Sequence, residues 1–259
     1  MTGLRLLACF AHPDDEAFPV GGLLARNVAE GRRVRLVTTT LGEEGEIRQE
    51  GSATRETLGE VRRIELACAV RALSLESHAL LDYRDSGMAG WESNDHPRAY
   101  INAPDDLIVE RFVREIREFR PQVMLTFEPG GLYGHPDHIK VHFVGLRAAE
   151  FAGTEHLYET TTNRDHMKQL IAANPSWSEE DAPQDVETFG LPASEITTIV
   201  DVSSVMGPKR QAMEAHATQI GDFGPFLAMP PETLELVFGR EWFRRVGGGP
   251  GLTETQLPL

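Results

Sequence analysis

The run Leu4–Phe10 (LRLLACF) limits most strongly what this chain can fold into: it is apolar almost throughout and breaks off abruptly into Ala11-His12-Pro13-Asp14-Asp15-Glu16. A strand with one wet face alternates polar and apolar residues, so a nearly continuous apolar run calls for cover on both faces, as inside a parallel sheet. The next segments keep that promise. Val20–Glu30 has helical periodicity with Gly31 as a C-cap, and Val34–Thr40 is β-branched enough for a second strand. A long amphipathic helix follows over Thr54–Leu73, then a third strand at His78–Tyr83, a helix at Asp105–Phe119 stopped by Pro121, and a strand at Val123–Phe127. This alternation predicts an α/β fold, a doubly wound, mostly parallel sheet with helices on both faces. Residues 154–195 are polar, acidic and broken by prolines, and read as an insertion or lid; strand character returns at Ile196–Val202, and a helix follows over Pro208–Thr218. The Gly/Pro-rich tail 247–259 reads as mobile, and 1–259 as one domain.

Charge narrows the partners. Asp and Glu number 40 against 25 Lys and Arg, a net charge of −15, which disfavours nucleic acid and anionic membrane surfaces. No apolar stretch reaches the ~20 residues of a membrane span and no signal-peptide pattern opens the chain, so a cytoplasmic protein is expected. A homo-oligomer is compatible with the composition. Cys9 and Cys68 lie apart in apolar stretches and read as buried free thiols, leaving histidine and carboxylate as the donors for any metal.

Open parallel sheets bind ligands beyond the carboxyl ends of their strands. Two polar clusters fall at such ends, His12–Glu16 and Tyr133-Gly134-His135-Pro136-Asp137-His138. His12 and Asp15, three apart on a turn entering a helix, bring an imidazole and a carboxylate together, and His138 supplies a third ligand from the other loop. Two histidines and a carboxylate with open positions suit a catalytic divalent metal, zinc first, with Fe(II) fitting the same donors. Asp14, between two ligands, is placed to act as general base. His135 is expected to face the substrate carbonyl as an imidazolium, its other nitrogen steadied by Asp137. Taken singly, Asp14 and Asp15 read equally well as helix caps, and a lone core histidine is more often structural. The repeat of His-Pro-Asp at two strand ends is what argues for a joint site. His142, four residues after His138, is the substitute ligand; His78, His96, His156 and His166 read as surface or loop residues.

AHPDDE and GHPDH together resemble the PIG-L/LmbE family of metal-dependent N-acetylglucosaminyl deacetylases, which includes enzymes of mycothiol and bacillithiol biosynthesis and the GPI-anchor deacetylase. Weaker matches extend the likeness to Thr40–Gly45 (TLGEEG), Arg62–Glu65, Tyr83–Met88 (YRDSGM) and Lys209–Gln219. The resemblance implies a Rossmann-like fold and hydrolysis of the acetamide of an N-acetylglucosamine (GlcNAc) unit, releasing acetate and a free amine. It implies His12, Asp15 and His138 as metal ligands, Asp14 as base, and His135 with Asp137 as the electrostatic pair. It further implies Arg62 as a contact for an anionic aglycone and Asp85 as an acceptor for sugar hydroxyls. Tyr133 would polarise the carbonyl or simply pack. RDSGM and YGHPDH are most similar to the branch acting on a small GlcNAc conjugate, with inositol or malate as aglycone. Two other readings compete: a non-catalytic sugar- or metal-binding homologue, which has no use for Asp14, and a metal-dependent hydrolase of another small amide or a phosphoester. The phosphoester lacks support from any Walker-type glycine loop.

Overall fold

The computed structural model describes residues 3–173, 186–220, 227–228, 230–249 and 251–258. Its centre is β1, Arg5–Phe10, in which Leu6 through Phe10 have no exposed surface. Such a strand is buried on both faces because it has neighbours on both sides and helices above and below. β2 (Arg33–Thr40) and β4 (Val123–Phe127) flank it in parallel, β3 (Ser77–Tyr83) adds to β2, and β5 (His156–Thr161) adds to β4. β7 (Arg240–Arg245) pairs antiparallel with β5 and with β6 (Thr198–Asp201), giving the order β3-β2-β1-β4-β5-β7-β6. This is the mixed, mostly parallel α/β sheet that the alternation predicts. Helices α1 (Gly21–Ala29) and α2 (Leu58–Ala72) pack with α7 (Met206–Ala215), and α3 (Asp105–Phe119) packs with α5 (Pro136–Ala152). Further α-helices among the described residues are α4 (Gly131–Gly134), α6 (Arg164–Ala173) and α8 (Pro231–Phe238). No helix among the described residues is long and apolar enough to cross a membrane.

The expected insertion at 154–195 needs correction. Its first part is β5, a strand of the sheet, whose polar sequence HLYETT hides a buried position: the Glu159 carboxylate is held by Arg244 Nε at 2.6 Å and lies 3.3 Å from His142 Nδ1. A buried, paired carboxylate erases the hydrophobic signature of a strand without removing it from the sheet. Residues 174–185 of the expected lid lie outside the described residues. The tail is anchored rather than loose: Glu254 exchanges main-chain hydrogen bonds with Thr197 and Ile199, its carboxylate accepts from Tyr158 Oη (2.8 Å), and Leu257 is buried. His78 lies on β3, half-buried against Thr38 Oγ1, and His156 opens β5, so neither is a loop residue. Cys9 is buried and free; Cys68 is free but only half-buried.

Candidate active site

The strand order reverses between β1 and β4, whose following loops therefore stand side by side at the carboxyl edge of the sheet. The chain beyond β4 is bent sharply before α5. The Glu128 carboxylate accepts the amides of Gly130 (2.6 Å) and Leu132 (2.7 Å), and Gly131 adopts φ 62°. Glycine is required at 131 for a second reason, since a Cβ there would meet His138 Cβ at 2.8 Å and the Ile139 amide at 3.0 Å. That close turn carries the His138 ring flat against Phe127, with centroids 4.0 Å apart and 5° between planes.

His12, Asp15 and His138 meet. His12 Nδ1 is 3.0 Å from His138 Nε2, His138 Nε2 is 3.4 Å from Asp15 Oδ1, and His12 Nδ1 is 3.8 Å from Asp15 Oδ2. Ligand bonds of 2.0–2.1 Å at tetrahedral angles place neighbouring donors ~3.3 Å apart, so the two separations from His138 Nε2 match the edges of a coordination tetrahedron, while the 3.8 Å contact is made by the other oxygen of Asp15. The outer contacts fix which atoms face inward. His138 Nδ1 is 3.2 Å from the Gly131 carbonyl, to which it donates, leaving Nε2 a bare lone pair. His12 Nε2 lies 3.3 Å from both Asp85 Oδ1 and Asp137 Oδ2 and donates there, which turns Nδ1 toward His138. Asp15 Oδ2 accepts the Ala11 and His12 amides (3.2 and 2.7 Å), leaving Oδ1 free. Buried imidazoles and carboxylates crowd here: His12, His135 and His138, and likewise His12, Asp85 and Asp137, each offer donor atoms within 4.8 Å of one another, and with Asp15 beside His138 this donor chemistry fits a divalent cation.

Asp14 differs from its neighbours in access. Its side chain is 24% exposed, against 7% for Asp15, and Arg62 Nη2 reaches its Oδ2 at 3.0 Å. Its backbone is strained, with φ 112°. Removal from water raises its pKa, and the Arg62 guanidinium opposes the rise. Burial pushes Asp15 up to about 8, against the pull of His12. Burial works against charge on His12, yet Asp85, Asp137 and Asp15 outweigh it and raise the imidazole well above its usual value. Burial also opposes ionised Asp85, but His12 beside it holds that carboxyl well below the ordinary range. His135 is lowered to about 3 by burial and by the charge on His12.

Five expectations change in this geometry. His135 caps α5: its Nδ1 accepts the Asp137 amide at 3.2 Å, so its Nε2 carries the hydrogen, and with so low a pKa the ring is neutral rather than an imidazolium. The Asp137 carboxylate turns away from His135 to His12 Nε2 and the Ser86 amide (3.1 Å). Asp85, expected at the sugar hydroxyls, stands behind His12 and also accepts the Glu44 and Gly87 amides (3.0 and 2.9 Å). Arg62, expected at an anionic aglycone, is buried, binds the Gly42 and Pro13 carbonyls and Asp14, and so clasps two loops. Tyr133 is 46% exposed, with its ring edge-on to His138 at 5.1 Å and stacked on Phe189 at 6.5 Å. His142 points away from the cluster, donating from Nδ1 to the Phe127 carbonyl at 2.9 Å, and is not a substitute ligand. Sequence reasoning placed Ser86 and His216 within the family likeness but gave neither a role. His216 sits 200 residues from its partner Glu16, and no local pattern announces such a contact.

Comparison with known proteins gives the lineage of the chain. The family model described as PIG-L, GlcNAc-PI de-N-acetylase, matches residues 7–149, which contain both loops. A 1D-myo-inositol 2-acetamido-2-deoxy-alpha-D-glucopyranoside deacetylase from Thermomonospora curvata is 38% identical, over 98% of this chain and 94% of that protein. Among solved structures, an N,N'-diacetylchitobiose deacetylase from Pyrococcus horikoshii covers 93% of this chain and 83% of its own at TM-score 0.61 and 20% identity. A 4-carboxy-2-hydroxymuconate hydratase from Pseudomonas putida shares the fold as closely, with TM-score 0.61, 19% identity, and cover of 98% of this chain and 100% of its own. Fold alone therefore leaves the chemistry open, but the match across both loops and the near full-length identity do not leave the lineage open: the chain belongs to the PIG-L family.

Proposed function

We propose that this chain is a metal-dependent N-deacetylase that removes the acetyl group from GlcNAc joined to inositol, releasing acetate and a free amine. The observation that carries the reading is the approach of His12 Nδ1 and Asp15 Oδ1 to His138 Nε2, at 3.0 and 3.4 Å, beside the partly exposed carboxylate of Asp14. The donor set accommodates zinc, the proposed ion, and Fe(II). When bound, the ion supplies Lewis acidity at the acetamide carbonyl and makes water easier to deprotonate.

The chain's own groups do the rest. Asp14 takes the proton from the attacking water and passes it to the departing nitrogen, so the acetyl carbon gains a hydroxyl as the C–N bond breaks. Its raised pKa suits both halves of that exchange. The neutral His135 donates from Nε2 to the carbonyl oxygen as charge develops there. Arg62 holds the Asp14 carboxylate, Asp85 and Asp137 hold His12, and Tyr133 walls the open side. Inositol is favoured over malate as aglycone by the name of the full-length relative from Thermomonospora curvata.

The test is release of acetate and primary amine by the zinc-loaded protein from the GlcNAc–inositol conjugate, the GlcNAc–malate conjugate and free GlcNAc. The inositol conjugate should give the highest kcat/KM. Binding of the conjugate without any acetate over a long incubation would overturn the enzymatic reading, and preference for malate would overturn the aglycone.

A further inference from the structure

The Asp14 backbone, at φ 112°, adopts a conformation that side-chain-bearing residues resist, and the surroundings hold it there from several directions. Arg62 grips its carboxylate and the Pro13 carbonyl. The Asp14 carbonyl accepts the Ala17 and Phe18 amides at 2.8 and 3.2 Å. The Asp14 amide donates to Glu16 Oε2 at 3.1 Å, and the other oxygen of that carboxylate, Oε1, receives His216 Nε2 at 2.6 Å. Neither Glu16 nor His216 has any exposed surface.

The segment bearing His216 is well anchored, while the ring's Nδ1 is buried without a partner among the described residues. His216 follows α7, and two residues on, Thr218 donates through its amide and Oγ1 to the Glu65 carboxylate, both at 2.7 Å, while its carbonyl accepts the Arg48 amide. Glu65 lies on α2, as does Arg62, so one helix delivers both holds on Asp14: Arg62 directly to the side chain, and Glu65 through the segment bearing His216 to the main chain. A fully buried imidazole–carboxylate pair is a costly way to fill a core, and apolar residues would fill the space without that cost. Its only outward connection toward the site is the Asp14 amide, among the described residues.

We propose that Glu16 and His216 are positioning residues for proton transfer: His216 fixes the Glu16 carboxylate, and Glu16 holds the Asp14 amide so that the strained turn presents the Asp14 carboxylate to the reacting water. The pair touches neither ligand atoms nor substrate and acts only through Asp14. This rests on the reading of Asp14 as the base.

With zinc-loaded protein and the GlcNAc–inositol conjugate, His216→Leu should lower kcat about 10- to 100-fold, the scale of loss for a misplaced reacting group. KM should stay within about threefold and bound zinc at the wild-type ratio. His216→Gln, which returns a donor near the position of Nε2, should recover most of the loss; His216→Asn, whose donor is drawn back by one methylene, should not. In an Asp14→Ala background His216→Leu should cost nothing further. Wild-type kcat in His216→Leu, or a loss that multiplies in full onto that of Asp14→Ala, would overturn the proposal. If His216→Leu does not fold, equal activities of the Gln and Asn variants would do so. An Asp14→Ala protein as active as wild type would instead refute the base assignment, which keeps the two failures apart.

Discussion

His12 Nδ1 and His138 Nε2 lie 3.0 Å apart although 126 residues separate them in the chain. Each ring spends its other nitrogen on an oxygen acceptor, so the two nitrogens that face one another are left to share a single proton or a metal ion. Such an approach repels unless a positive charge sits between, and the carboxylate of Asp15 beside both makes a cation the natural occupant.

Protons compete for that place. Asp15 is pushed up to about 8 by burial, and His12 is raised by the carboxylates that outweigh its own burial, so the metal-free site carries protons at pH 7. Metal must displace them, and zinc affinity should fall as pH drops below about 8, by up to about tenfold per unit for each proton released. Chelator competition across this range measures it; an affinity that stays flat would refute the assignment of these donors.

Asp14→Asn should retain zinc and lose about 100- to 10,000-fold in kcat, the usual contribution of a general base. Metal analysis alongside steady-state kinetics reads both quantities. Near-normal turnover in the metal-replete variant would exclude Asp14 as the base.

Asp137→Asn removes one of the two carboxylates 3.3 Å from His12 Nε2. Loss of such a supporting partner typically costs about 10- to 100-fold in metal affinity, and that is the expected change here. His142→Ala should leave zinc stoichiometry untouched, because its Nδ1 serves the Phe127 carbonyl. Loss of zinc in the alanine variant would reverse the exclusion of His142 from the site.

Lys209 Nζ lies 2.7 Å from Glu241 Oε1, with both side chains 1% exposed, and Glu241 also accepts the Gly22 and Leu23 amides at the start of α1. Lys209→Met strands that carboxylate in the interior and should cost about 3–5 kcal/mol, whereas the double change Lys209→Met with Glu241→Gln should recover a large part. Urea unfolding of the two variants makes the comparison.

Much of this was legible beforehand because the signals are local. LRLLACF reads as a doubly covered strand, and His-Pro-Asp at the ends of β1 and β4 reads as a shared site once those strands are placed side by side. β5 and β7 were not legible: HLYETT and REWFRR look like surface, and their buried charges are explained by partners far away in the chain, Arg244 for Glu159 and Lys209 for Glu241. Within the site, residue spacing cannot tell which way a side chain turns. Asp137 follows His135 by two residues yet serves His12, and Asp85 lies behind the same ring because main-chain amides of residues 44 and 87 hold it there.

The adjacency of β1 and β4 also orders events in time. These strands neighbour each other in space but are joined only through β2, β3 and their helices, so the two ligand-bearing loops face each other once that long excursion has closed. The ion thus arrives as a keystone on a finished arch: its capture rate should track completion of the sheet, and chelation should leave most of the folding pathway unaltered.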